Sequence, residues 1–274
     1  MKNLMYAFLL VSASVLGQVK EERTVTDFTS VNVSQGIELE FTTAENRKIV
    51  VETDSKELLK HIKTEVKGKE LRVFIENDDK KVFFKTNTLN FMKLVVYVEN
   101  PQLSGVKVSS GAKMSLKNNL KSRGFKLKAS SSGSFQGNVI TDVMNIEVSS
   151  SGSIEGSFKV ANDVSIEVGS SGRFVGNIES NKLSLEVSSS GKTTISGNVK
   201  KAEINVSSSG NIEASRLKVV DMIASASSSG KGIFTISGSL DASASSSGSL
   251  VYYGAAKVIR SNTSSSGKIS KKQN

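Results

Sequence analysis

Ser149-Ser150-Ser151-Gly152 is one copy of a tetrapeptide, S-S-S-G, that returns from the middle of the chain to its end. Its glycines are Gly133, Gly152, Gly172, Gly191, Gly210, Gly230, Gly248 and Gly267, with a shorter forerunner at Ser109-Ser110-Gly111. They recur every 19 to 20 residues or so, and a fixed period of this length marks a stacked repeat. Counting back from each glycine, the fourth, sixth and eighth residues are mostly apolar, as in Val148, Ile146 and Met144, or Val187, Leu185 and Leu183. Apolar and polar residues therefore alternate at period two, which is a strand with one buried face and not a helix.

Past the glycine the pattern resumes with Phe135, Ile154, Phe174 or Ile212, then often Gly137, Gly156 or Gly176, then Val139, Phe158 or Ile178. Short apolar pairs broken by glycine predict further short strands joined by bends. One such coil cannot bury its apolar face alone, but stacked coils can, since each backbone pairs with the next and inward side chains form ladders. The fold predicted is all-β: a parallel β-solenoid of about nine short coils, nine glycines at about 4.8 Å spacing giving a rod of about 38 Å. Continuing the alternation through the triplet places its central serine (Ser150, Ser170, Ser189, Ser208, Ser228) inward and its neighbours, such as Ser149 and Ser151, outward. The glycines are expected to serve a bend with positive φ. Around Gly191 the pattern slips, because Ile195, Gly197 and Val199 come two residues late, and a changed loop length is expected there.

Residues 1–17 have the form of a secretory signal, with Lys2 at the start and a Met5 to Leu16 apolar run too short to span a bilayer. Cleavage after Gly17 is expected, and export follows to the periplasm, the outer surface or the medium. No other stretch is long and apolar enough to cross a membrane. With no cysteine, the chain has neither disulfides nor a lipoprotein anchor. Residues 18–105 lack the S-S-S-G period and show longer strands (Val31 to Val33, Ile37 to Phe41, Ile49 to Val51, Leu71 to Ile75, Lys81 to Phe84, Leu94 to Val98). A short helix follows Thr53-Asp54-Ser55, with Leu58, Leu59 and Ile62 as its apolar stripe. This region is expected to be a β-rich cap hiding the open end of the solenoid of residues 106–270, and residues 271–274 form a polar tail.

These motifs in this order resemble a known family. Phe28-Thr-Ser-Val-Asn-Val-Ser-Gln-Gly-Ile-Glu-Leu, Val51-Glu-Thr-Asp, Leu58-Leu59 with Ile62, Leu71-Arg-Val, Pro101-Gln-Leu and the S-S-G coils are similar to the exported bacterial domain named putative auto-transporter adhesin, head GIN domain. The resemblance implies a secreted or surface β-solenoid without established catalytic residues. A self-translocating protein needs a membrane barrel of alternating strands with aromatic girdles. None is spelled in these 274 residues, so export by the signal is expected.

Charge divides along the chain. The net charge is +10, yet residues 18–105 carry 14 Lys+Arg against 15 Asp+Glu, and residues 106–274 carry 21 against 11. Lys107, Lys113, Lys117, Lys121, Arg123, Lys126 and Lys128 follow without an intervening acid. Of these Lys117, Lys121, Arg123, Lys126 and Lys128 are candidate contacts to an anionic glycan or cell-envelope polymer. Glu147, Glu167 and Glu186 hold one outward position on three successive coils. They are either a solvated ladder or a face for Ca²⁺ or sugar, and they offer the most orderly carboxylates for polysaccharide cleavage.

Other chemistries find little material. Ser189 with Lys192, Ser228 with Lys231, and Ser265 with Lys268 have S-x-x-K order, but on strands and bends rather than at a helix start. His61 is the only histidine, so neither a Ser-His-acid relay nor a histidine-rich metal site is available. No metal or cofactor is called for, and without Trp or a recognition helix nucleic-acid binding is not expected. The sequence thus predicts a non-enzymatic, adhesin-like or structural surface module, with a polysaccharide-active lyase or hydrolase as the alternative.

Overall fold

The structure, a computed structural model, describes residues 19–54, 56–76 and 94–273. The signal-sequence expectation and the strand expected at Lys81 to Phe84 lie outside the described residues. The N-terminal third contains β1 (Val19–Arg23), β2 (Ser30–Val33), β3 (Glu38–Thr43), β4 (Lys48–Thr53), α1 (Lys56–His61), β5 (Ile62–Lys67), β6 (Glu70–Ile75), β7 (Leu94–Asn100), β8 (Gly105–Val108) and β9 (Lys113–Leu116). Long bent strands follow: β10 (Leu120–Ala129), β11 (Ser134–Val148), β12 (Ser153–Val168), β13 (Arg173–Val187), β14 (Lys192–Val206) and β15 (Asn211–Ala226). The last coils are β16 (Lys231–Ile236), β17 (Ser239–Ala244), β18 (Ser249–Tyr253), β19 (Lys257–Thr263) and β20 (Lys268–Lys271). The molecule is a parallel β-solenoid of about nine turns with one short helix near its N-terminus.

Inward side chains stack in columns set by the strand register. One column runs Val108, Ala129, Val148, Val168, Val187, Val206, Ala226, Ala244 and Thr263. Its members from Val108 to Ala244 are essentially inaccessible. Removal of such side chains from water is the main driving force for stacking, at about 1.5–3 kcal/mol for each full-sized aliphatic group. Large and small residues complement each other between neighbouring columns. The Phe158 and Phe174 rings stack 5.9 Å apart, and a Cβ on Gly176 would lie 2.6 Å from the Phe174 ring.

The S-S-S-G segment is a turn rather than a continuation of the strand. Ser150 and Ser151 both have left-handed φ, 47° and 60°, and the Gly152 amide donates to the Ser149 carbonyl at 2.8 Å. Two consecutive left-handed residues closed by this hydrogen bond make a type I′ turn. The central serine is therefore exposed and not inward, as are Ser170, Ser189, Ser208 and Ser228. Period-two alternation stops where the backbone leaves the extended region. The turns are joined along the rod, the Ser151 amide donating to the Ser170 carbonyl at 3.1 Å and the Ser190 amide to the Ser208 carbonyl at 3.0 Å.

The repeat glycines are corrected in the same way. Gly133, Gly152, Gly172, Gly191, Gly210, Gly230, Gly248 and Gly267 are absent from the positive-φ residues. They are required for space, since a Cβ there would lie 2.1 to 2.7 Å from a carbonyl oxygen of the preceding coil. Gly111 differs: its φ is +73° with nothing near a Cβ, and Ala112, one residue on, aligns with Gly133. Gly111 thus occupies the second left-handed position of its turn, and belongs to a different column from the eight that follow.

The slip expected around Gly191 does not occur in the backbone. β13 and β14 pair without a shift, Phe174 with Thr193, Gly176 with Ile195 and Ile178 with Gly197. The bulky side chain moves to the middle position while the strand stays in register.

At the N-terminal end the coils extend beyond their sequence signature. β2 pairs in parallel with both β8 and β6, and β3 with both β9 and β7. The turn Ser34-Gln35-Gly36-Ile37 has left-handed φ at Gln35 and Gly36. It was unreadable as a repeat because Ile37 stands where later coils have glycine. The parallel stack ends where β4 pairs antiparallel with β7 and β5 with β6, and β1 adds to β4. Leu58 and Leu59 of α1 are buried against this end. At the opposite end, β19 is exposed throughout.

Candidate functional site

Each coil bends near its middle, and the bends stack into an open groove of about 720 Å³ crossing several coils. A column of outward residues along it is fixed by pairing: Lys121, Ile140, Lys159, Glu179, Asn198, Lys218. Lys200, Asn181, Asp142 and Val220 also line the groove. The bend is held locally by side-chain hydroxyls, Ser122 donating to the Gly124 carbonyl at 2.9 Å, Thr141 to Val143 at 3.1 Å and Ser180 to Lys182 at 3.2 Å. Four lysines against two acids make the groove positive, and the Lys159–Glu179 contact is loose, at 3.7 Å. Ile140 and Val220 add exposed aliphatic surface, 38% and 46% accessible.

The predicted basic cluster is divided by the fold. Lys121 lies in the groove, and Arg123 lines an adjoining depression with Lys121, Ser122 and Asp142. Lys117 pairs with Glu40 at 2.8 Å. Lys126 is on the next face, between Gly105 and Asn145. Lys128 pairs with Glu147 at 2.5 Å.

Glu147, Glu167 and Glu186 do align on three successive coils, with Lys128 before them and Asn205 after. Glu147 is half-buried against Lys128, whereas Glu167 and Glu186 are exposed. Among the described residues no group of three or more His, Cys, Asp or Glu side chains is arranged to hold a metal. The serines of the three S-x-x-K pairs lie outward on turns, so no helix carries the lysine to the hydroxyl.

Glu70 marks the joint between the N-terminal end and the coils. Burial pushes its carboxyl up, but hydrogen bonds from Lys107 and Asn32 and the charges of Lys107 and Arg72 outweigh it and hold it below the usual 4.5. The Lys107 ammonium is 2.8 Å from it. Asp221, near the groove's far end, is also lowered, by hydrogen bonds from the Ser239 hydroxyl and amide.

Sequence reading missed Lys159, Lys200 and Lys218 because they are far apart in the chain. A signal existed: Ile140, Lys159, Glu179 and Asn198 each lie seven residues after a repeat glycine. Lys218 comes one later, beyond the register shift between Thr194 and Ser196.

The profile of the family described as "Putative auto-transporter adhesin, head GIN domain" matches residues 27–163 and again residues 158–256. The chain belongs to this family. The two matched segments overlap at residues 158–163 and together run from residue 27 to residue 256. A crystal structure of a putative adhesin from Parabacteroides distasonis matches 93% of this chain and 97% of its own, with 20% identity and a TM-score of 0.66. A putative adhesin from Parabacteroides merdae matches 94% and 96%, with 17% identity and a TM-score of 0.66. A putative lipid binding protein, also from P. distasonis, matches 93% and 96%, with 20% identity and a TM-score of 0.62. At these identities the likeness establishes the shared head GIN fold. No curated protein matches the chain. The family is adhesin-like, which fits a surface or exported protein, and no helix among the described residues is long and apolar enough to cross a membrane.

Proposed function

We propose that this protein is a non-enzymatic, adhesin-like binding module, exported to the periplasm or cell surface, that holds an anionic glycan or cell-envelope polymer along the basic bend of the solenoid. The observation carrying this reading is the groove, in which Lys121, Lys159, Lys200 and Lys218 from separate coils meet only two acids. An array of fixed cations along a rigid rod suits a long polyanion better than a small molecule, because its charges are spread along an axis and do not converge on a point. The cleavage alternative has weaker support. Its best carboxylates, Glu167 and Glu186, are exposed neighbours on one strand face, while glycoside cleavage needs two carboxyls flanking the scissile bond.

The test is a polymer-binding panel (acidic and neutral polysaccharides, anionic vesicles) on the mature protein and on a Lys121→Gln/Arg123→Gln variant. Retention of acidic polysaccharide, weakened by salt and by the substitutions, is expected. Absence of binding to every polyanion would refute the reading.

A further inference from the structure

We infer that the groove selects a glycan carrying one carboxylate on every second sugar, laid parallel to the rod axis with one sugar per coil. This inference rests on the anionic-polymer reading above and adds to it a spacing.

Strand pairing places Lys121, Ile140 and Lys159 on three consecutive coils of one column, so each step is about 4.8 Å. That step is close to the rise of one pyranose residue in an extended chain. Cation, aliphatic side chain and cation therefore follow at the interval of charged, neutral and charged sugars, with Ile140 offering apolar surface to the C–H face of the middle ring. The alternation continues: Glu179 occupies the next coil of the column, where a carboxylate of the ligand would be repelled. Lys200 restores positive charge one coil further, two residues along β14 from Asn198. Lys218, on the coil after that, extends the positive run beyond the period.

Other ligands fit less well. A single phosphate or carboxylate cannot engage the whole array, since Lys121 and Lys218 stand five coils apart, about 24 Å along the axis. A single-stranded nucleic acid needs stacking platforms, and among the described residues no aromatic side chain lines the groove. A polymer charged on every sugar would set a carboxylate against Glu179.

The experiment titrates the mature protein with hyaluronate oligosaccharides, charged on alternate sugars, and with oligogalacturonate of equal length, charged on all. Phosphatidylglycerol vesicles and a single-stranded oligonucleotide serve as the other arms. Tighter binding to the alternating polymer is expected. Each of Lys121→Gln, Lys159→Gln and Lys200→Gln should weaken it roughly two- to fivefold, the range of an exposed ion pair. Glu179→Gln should strengthen oligogalacturonate binding more than hyaluronate binding, a gain that misfolding cannot produce. Preference for oligogalacturonate, vesicles or oligonucleotide would overturn the inference, as would hyaluronate binding indifferent to the groove lysines but lost on Lys126→Gln. Those last results leave polyanion binding standing or relocate it, whereas no binding to any acidic polysaccharide removes both readings.

Discussion

Gly191→Ala tests why the repeat keeps its glycine. A methyl there would lie 2.5 Å from the Val168 carbonyl oxygen and 3.0 Å from that of Ser188. The Val168 oxygen cannot yield freely, because it accepts the Ser188 amide at 2.9 Å in the hydrogen bond between coils. Overpacking against fixed atoms costs about 1–3 kcal/mol, and weakening one buried backbone bond adds about 1 kcal/mol, so a loss of about 2–4 kcal/mol is expected. For a domain of this size a loss near 3 kcal/mol lowers Tm by roughly 6–12 °C. Gly111→Asn is the matched control, since Gly111 has positive φ and open space and Asn tolerates left-handed backbone. Thermal and urea unfolding followed by circular dichroism would measure both, with several probes compared because a repeat array can unfold in stages. A tolerated Gly191→Ala together with a damaging Gly111→Asn would refute the steric account.

Two further outcomes follow from buried or tethered polar groups. The Thr193 hydroxyl is buried with no hydrogen-bond partner among the described residues, at the position held by Phe174 one coil earlier. Thr193→Val should therefore stabilise the protein by about 1 kcal/mol, and a clear loss of Tm would mean that the hydroxyl is satisfied. Because the Glu70 carboxyl titrates below its ordinary 4.5 when folded, its contribution is full above that value and fades as pH falls through the lower one. Glu70→Gln should lower Tm at neutral pH by an amount that shrinks as the pH is taken below 4.5 through the lowered value, and a gap unchanged by acid would contradict the assignment.

The sequence showed the solenoid because its interior is built from period-two strands spelled almost identically in each coil. Glu147, Glu167 and Glu186 were placed in one column for the same reason. Errors came where identical letters do different physical work. The serines of Ser149-Ser150-Ser151 look like more alternating strand, yet two of them take left-handed φ, and alternation cannot reveal a turn made of ordinary residues. Thr193-Thr194-Ile195 looks like an insertion because its apolar residue comes two places after that of Phe174, when packing has exchanged bulk between adjacent inward positions at an unchanged register. The coil of β2 and β3 was hidden by Ile37. The groove was harder to read for a different reason: each coil contributes only a few residues at its bend, and outward positions carry no hydrophobic pattern to mark them.

The ladder of turns has a mechanical consequence. The hydrogen bonds joining coils, such as Ser151 to Ser170 and Ser190 to Ser208, run along the axis of the rod. A load applied between its two ends would open them one coil at a time, starting where β19 is exposed. Each released coil of about 19 residues would lengthen the chain by roughly 65 Å. A tether of this kind yields in steps under tension and can keep hold of its ligand on the coils that remain closed.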